Sequence, residues 1–308
     1  MKNLICLFFI SITIAARAQA SLIEHEWKVT LIVVDDTGQP VASAKTGVGY
    51  YSKSQPASID GLTDTNGVFI ALHRAYSGIL GFAVEKAGYY TTRQGYDLGF
   101  VYDEAKWNPT QTIILKRKIK PIPMYAKHIE GGPPAFDVPV GYDLVVGDWV
   151  APNRKGLTTD IIFTGELNQK AKNNFDYKLT VSFPKQDDGI QEFDVPSYYL
   201  HSHGSELLSS QEAPTNNYQP QIIRTMSRHP GFGTKEDMND PNHNYYFRVR
   251  TKVDDSGNIV AAHYGKIYGD FMQFSYYFNP TSNDRNVEFD PKQNLMTNMK
   301  PDEGVSAP

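Results

Sequence analysis

The sequence predicts an all-β protein, and three observations carry that prediction. Apolar and polar residues alternate along much of the 308-residue chain, as in Trp27, Val29, Leu31 and Val33 or in Tyr177, Leu179, Val181 and Phe183. That is the period of a strand with one buried face. Clusters of Gly, Asn, Asp and Pro separate these runs at strand-length intervals. No stretch keeps a helical period, apart from a turn's worth around Asn168 to Asn173.

Residues 1–20 read as a leader. Lys2 supplies a positive start, Leu4 to Ala16 is apolar or small, and Ala18-Gln19-Ala20 is an A-x-A cleavage site before Ser21. The expected location is therefore secreted or periplasmic, and no later apolar run is long enough for a transmembrane segment. Cys6 is the single cysteine and falls in this leader, so a mature chain would carry no disulfide and would depend on its core. Removing Lys2 and Arg17 makes the formal charge of −4 more negative. Basic residues are scattered except at Lys116-Arg117-Lys118 and Lys120, which disfavours nucleic acid as a partner. The pairs Tyr50-Tyr51, Tyr89-Tyr90, Tyr198-Tyr199, Tyr245-Tyr246 and Tyr276-Tyr277 predict one ring facing in and one facing out at each site.

In chain order, Trp27 to Val34 is the first strand. Asp35 to Gln39 is a turn, and Pro40 opens a second strand with Val41, Ala44 and Val48 inward. Gln55 to Asp60 reads as a surface loop. Leu62 to Ile70 reads as a hairpin around Asn66-Gly67, because those two residues take positive φ at low cost. Gly78 to Glu85 is another strand, Lys86 to Tyr89 a turn, and Thr110 to Lys116 a closing strand. Gln94 to Pro109 is an aromatic-rich insertion carrying Tyr96, Phe100, Tyr102 and Trp107, suited either to contact a ligand or to cap the sandwich.

The spaced residues Asp36, Gly38, Pro40, Val41 and Ala44, then Thr63, Asp64, Gly67 and Phe69, then Val84, Lys86, Gly88 and Tyr89 resemble the carboxypeptidase regulatory-like domains. The resemblance covers roughly Trp27 to Lys118. It implies a prealbumin-like β-sandwich, a carbohydrate-binding-like fold that accompanies other proteins as a non-catalytic module, and it implies no peptidase activity.

The chain then divides as residues 21–119 for this sandwich, 120–140 for a Pro/Gly-rich connection, 141–295 for a second β-rich, sandwich-like domain, and 296–308 for a flexible tail. Strands are expected over 142–150, 159–167, 177–183, 191–195, 221–226, 245–253, 259–268 and 273–278, with Asp254 to Asn258 as a hairpin loop. Stretches such as Gly147-Asp148-Trp149-Val150-Ala151-Pro152 and Tyr246-Phe247-Arg248-Val249-Arg250-Thr251 are similar to a group of uncharacterised secreted bacterial proteins. That similarity implies a shared fold and transfers no site.

His201 and His203, two apart on an extended stretch, would project to one side as ligands of zinc or a similar ion, with the third ligand drawn from the later loop that holds His229, Asp240 and His243, of which His243 is the one nominated. No other cofactor is expected. Asp143, Asp148, Asp160 and Glu166 could supply a glycosidase-like carboxylate pair, although exposed strand acids are the default reading. Arg285 is expected to clasp Asp270 or Asp290. No G-x-S-x-G, H-E-x-x-H or phosphate-cradling motif occurs, and no residue is nominated as catalytic. The sequence therefore points to an exported, non-catalytic binding or interaction protein with a protein or glycan partner at the cell surface. Tyr96, Trp107 and Trp149 are its candidate ligand-binding rings. The alternatives are a metal-dependent hydrolase using His201 and His203, and a structural part of an envelope assembly.

Overall fold

The computed structural model describes residues 25–52, 55–75, 78–99, 101–195, 204–237 and 242–308. The leader, Phe100, His201 and His203 lie outside the described residues.

The architecture is nearly all β, as the alternation requires. The first half contains β1 (His25–Asp35), β2 (Lys45–Ser52), β3 (Gln55–Leu62), β4 (Val68–Ala75), β5 (Gly78–Glu85), β6 (Thr92–Gly99) and β7 (Thr110–Leu115). The second contains β8 (Ile122–Glu130), β9 (Pro139–Asp143), β10 (Asp148–Trp149), β11 (Ile161–Ala171), β12 (Asn174–Ser182), β13 (Gly189–Asp194) and β14 (Gly204–Ser205). It continues through β15 (Gln221–Arg228), β16 (Lys235–Glu236), β17 (His243–Val253), β18 (Ile259–Asp270), β19 (Gln273–Phe278) and β20 (Phe289–Asn294).

Two sheets form the first sandwich: β4-β1-β7, and β14-β6-β5-β2-β3. Trp27, Val29, Leu31 and Val33 of β1 point inward against Val48, Leu80, Phe82 and Val84 of the facing sheet, all essentially without solvent exposure. The Leu62 to Ile70 segment is a turn, as expected, but not a hairpin. β3 pairs with β2, while β4 pairs with β1, so Thr63 to Gly67 carries the chain from one sheet to the other. Gln55 to Asp60 belongs to β3 rather than to a loop. The aromatic insertion is likewise built: it holds β6 and a one-turn helix, α1 (Glu104–Trp107), which Asp103 caps by accepting from the Ala105 and Lys106 N–H groups.

The second sandwich has a six-stranded sheet, β10-β9-β11-β12-β15-β16, facing another, β13-β17-β18-β19-β8-β20. Phe163, Leu179 and Val181 from one side meet Tyr245, Phe247, Val249 and Phe274 from the other. The 120–140 region is more than a connection, since residues 122–130 form β8, hydrogen-bonded to β19 and β20. Asn168 to Asn173 is not helical; it closes the β11–β12 hairpin.

Both rings of Tyr245-Tyr246 and of Tyr276-Tyr277 are buried, contrary to the in-and-out expectation. The reason is a third layer. Residues 204–218 and 284–288, with Val305 of the tail, cover the outer face of the β13-β17-β18-β19-β8-β20 sheet, packing Ala213 and Val287 beside Tyr246 and Tyr264, while Leu208 and Val305 pack against Tyr268, Tyr277 and Phe289 of the sheet itself. The tail takes part in this cover: Glu303 pairs with Lys127 at 3.2 Å, and Tyr277 donates to the Ala307 carbonyl.

The halves are sutured by the same covering chain. β14 pairs with β6 of the first sandwich. The buried Glu288 carboxylate accepts from Tyr90 OH at 2.9 Å and from the Ile119 and Lys120 N–H groups at 2.9 and 2.6 Å. Lys116 donates to the Leu208 and Ser209 carbonyls.

Candidate functional site

Of the residues nominated for metal chemistry, His243 alone lies among the described residues. His243 opens β17, and its Nδ1 is 2.9 Å from Asp270 Oδ2 while its Nε2 is 3.6 Å from Glu192 Oε1. Arg224 reaches this cluster from the facing sheet. Its Nη2 donates to Glu192 at 2.9 Å and to Tyr245 OH at 2.7 Å, and its Nε is 3.7 Å from Asp270. Burial pushes the Asp270 carboxyl above its ordinary value against the opposing hydrogen bond from His243. Desolvation lowers Arg224, yet Tyr245 and Glu192 together carry it above its ordinary value. The cation already held between these carboxylates is thus a guanidinium, and the cluster ties two sheets together. Among the described residues, no group of three or more His, Cys, Asp or Glu is arranged to hold a metal ion.

Three of the four candidate acids, Asp143, Asp148 and Asp160, accept from backbone N–H groups instead of facing one another across a gap. Asp143 and Asp160 do come together, on Arg250, which binds Asp160 in a two-pronged contact at 2.7 and 2.9 Å. Burial would raise the Asp143 carboxyl, but N–H groups of Val146, Thr158, Leu157 and Val145 outweigh it and hold the carboxyl below its ordinary value. Asp148 accepts from the Trp149 and Lys155 N–H groups, and Glu166 makes an exposed pair with Lys178 at 2.8 Å. Arg285 pairs with Glu212, not with Asp270 or Asp290; Asp270 is engaged by His243, and Asp290 by the Gln293 amide and the Lys292 N–H.

Two of the three candidate ligand-binding rings are interior. Trp107 has 0% exposure and lies edge-on to His25, while Trp149, at 7%, packs edge-on against Tyr142 and Phe163. Tyr96 is half-buried against the first core. The aromatic insertion closes the end of the sandwich, and Tyr102, stacked on His25 at 4.4 Å, is its more exposed ring.

What remains open is a surface. The outward rows of β4-β1-β7 carry Val68, Ile70 and Leu72 on β4, Ile32 and Val34 on β1, and Ile114 on β7. Register sets Ile32 beside Val68 and Val34 beside Ile114. Ile70 and Leu72 are each 53% exposed and Ile114 is 48% exposed. A sheet with water on one side ordinarily shows polar residues there, so this aliphatic face is the uncommon feature of the molecule. It was open to sequence reading: Val68-Phe69-Ile70-Ala71-Leu72, Ile32-Val33-Val34 and Ile113-Ile114-Leu115 are continuous apolar runs, the pattern of strands covered on both faces.

No protein-family model matches the chain, and no characterised protein matches it in sequence. Among solved structures it is similar to a streptococcal ancillary pilin, at 13% identity with a TM-score of 0.23, over 72% of this chain and 52% of the pilin. It is also similar to a protein of unknown function from Bacteroides fragilis NCTC 9343, at 12% identity with a TM-score of 0.20, over 84% of this chain and 99% of that one. The chain spans about half the length of the pilin. Neither likeness bears on what the chain binds.

Proposed function

We propose that the chain is an exported, non-catalytic interaction protein that engages a protein partner at the cell surface. The observation that carries this reading is the aliphatic face of β4-β1-β7, with Ile70, Leu72 and Ile114 about half exposed. Apolar patches of this kind mark docking surfaces, because covering them recovers roughly 25 cal/mol for each Å² removed from water. The carboxylates and imidazole described above are instead engaged in holding the sheets and loops.

The test is a photo-crosslinking residue at Ile114 in the producing cell. A discrete adduct heavier than this chain, and not a multiple of its mass, is expected, and Ile32→Glu should abolish it by placing a charge in the same patch. Absence of such an adduct, or an adduct indifferent to Ile32→Glu, would overturn the reading. A glycan-only partner would show instead as retention on a glycan array with no protein adduct.

A further inference from the structure

The four described sheets have eight edges, and seven are blunted. β10, β14 and β16 are two residues long. β3 carries Pro56 and β20 carries Pro291, which break a ladder. β13 is covered where Ile190 and Gln219 exchange backbone hydrogen bonds. β7 is approached by Thr92, whose hydroxyl donates to the Ile114 carbonyl. β4 is different: it has eight residues, Val-Phe-Ile-Ala-Leu-His-Arg-Ala, with no proline, lysine or acid. Among the described residues β1 is its sole ladder partner.

The phase of that ladder fixes which groups are free. Val33 N–H donates to the Gly67 carbonyl, and Thr30 N–H turns the other way to the Pro109 carbonyl. Odd-numbered residues of β4 therefore exchange hydrogen bonds with β1, and Ile70, Leu72 and Arg74 direct their N–H and C=O groups to the open side. This side also faces away from the second half of the chain, whose hydrogen bonds to the first sandwich come from residues 90–93 and 116–120.

We infer that this edge pairs, antiparallel, with the same edge of a second copy across a two-fold axis at Leu72. Leu72 then stands opposite Leu72 of the other copy, and Ile70 opposite Arg74. The three outward N–H groups and three outward carbonyls of each copy are all matched, giving about six hydrogen bonds. No like charges stand opposite one another. On the outer face Ile70 and Leu72 of the two copies are brought together at the seam, flanked on each β1 by Thr30 and Lys28. An isologous contact of this type closes on itself and does not propagate, which answers the hazard of an unprotected apolar edge. The inference rests on the edge alone and does not depend on the protein partner proposed above.

The test uses the purified chain in sedimentation velocity over a wide concentration range, with Leu72→Cys in a Cys6→Ser background as a geometric probe. A reversible dimer is expected. Opposed residues in a hydrogen-bonded antiparallel pair lie within disulfide reach, so Leu72→Cys should crosslink to a dimer under copper–phenanthroline oxidation while Ile114→Cys should not. Leu72→Pro removes a ladder donor and should weaken association roughly tenfold or more. Should that variant fail to fold by circular dichroism, Leu72→Glu, which sets two like charges opposite each other across the axis, decides instead. A monomer at every concentration overturns the inference. So does a dimer indifferent to these variants, or one lost equally in Ile114→Glu, which would signify face-to-face packing.

Discussion

Lys266 lies wholly inside the molecule, on β18, with its Nζ 4.7 and 4.9 Å from the ring centres of Tyr268 and Tyr277 and 3.2 Å from Ser209 Oγ. The rings favour a cation, but one hydroxyl cannot replace the hydration of an ammonium. Desolvation, with the Lys116 charge adding to it and Glu288 opposing, holds this amine well below its ordinary value. The unfolded chain binds the proton up to the ordinary lysine range, so folding costs most below the depressed value. Stability then climbs as pH rises through the window between the depressed and ordinary values. Lys266→Met keeps the volume and removes the amine. It should raise stability at neutral pH by about 1–4 kcal/mol and flatten the alkaline climb, as read by urea unfolding between neutral and alkaline pH. Periodicity alone could not place this lysine. It sits where alternation puts an outward residue, and only the covering third layer buries it. Arg250 is similarly invisible to sequence: its φ of 58° is unusual for a bulky residue, and the two-pronged Asp160 contact holds it there. Asp160→Asn should cost about 2–3 kcal/mol in the same measurement, since it takes the two-pronged anion from a partly buried guanidinium and leaves it only Asp143, at 4.0 Å.

Turns were the most legible elements, because their chemistry is local. Asp35, Asp64 and Asp254 each begin the same loop. In each, one carboxylate oxygen accepts the N–H groups two and four residues on, and glycine follows at the fourth position with φ near 80°. The sequence showed all three as turns but could not distinguish their outcomes, since the loop geometry is common to strands that pair and strands that part. Asp254 to Asn258 joins β17 to its ladder partner β18, whereas Asp64 to Val68 sends β3 and β4 to opposite sheets. What separates them is tertiary: Gly67 fits against the Val33 carbonyl, where a Cβ would come within 2.3 Å, but Gly257 faces open space. Gly67→Ala should therefore cost about 3 kcal/mol or more, and Gly257→Ala only the φ penalty of about 1 kcal/mol. Thermal unfolding of the pair should show a clearly larger loss for Gly67→Ala; equal losses would mean that the crossing is not pinned there.

At the scale of the molecule, alternation disclosed two β-rich halves but not the chain that binds them. Residues 204–213 lack periodicity because they lie as a strap, with Leu207 fully buried and successive polar groups hydrogen-bonded to different elements. Glu288 is the centre of this joint. It receives one donor from the first sandwich, Tyr90, and two from the link, Ile119 and Lys120. Removing the carboxylate leaves the buried Tyr90 hydroxyl without its acceptor, at about 1–3 kcal/mol, and releases the Ile119 and Lys120 N–H groups, which belong to exposed residues. Glu288→Ala should thus loosen the junction without entering either core. If the joint makes the halves cooperative, calorimetry of the unaltered chain gives one transition and Glu288→Ala gives two. Glu288→Gln, which retains an acceptor oxygen for part of this network, should fall between them. A single transition shifted equally with both variants would mean that coupling is carried by the β6–β14 ladder and the Lys116 contacts. A first sandwich held firmly on one side by this joint has its β4 edge on the opposite side, where no other described residue pairs with it.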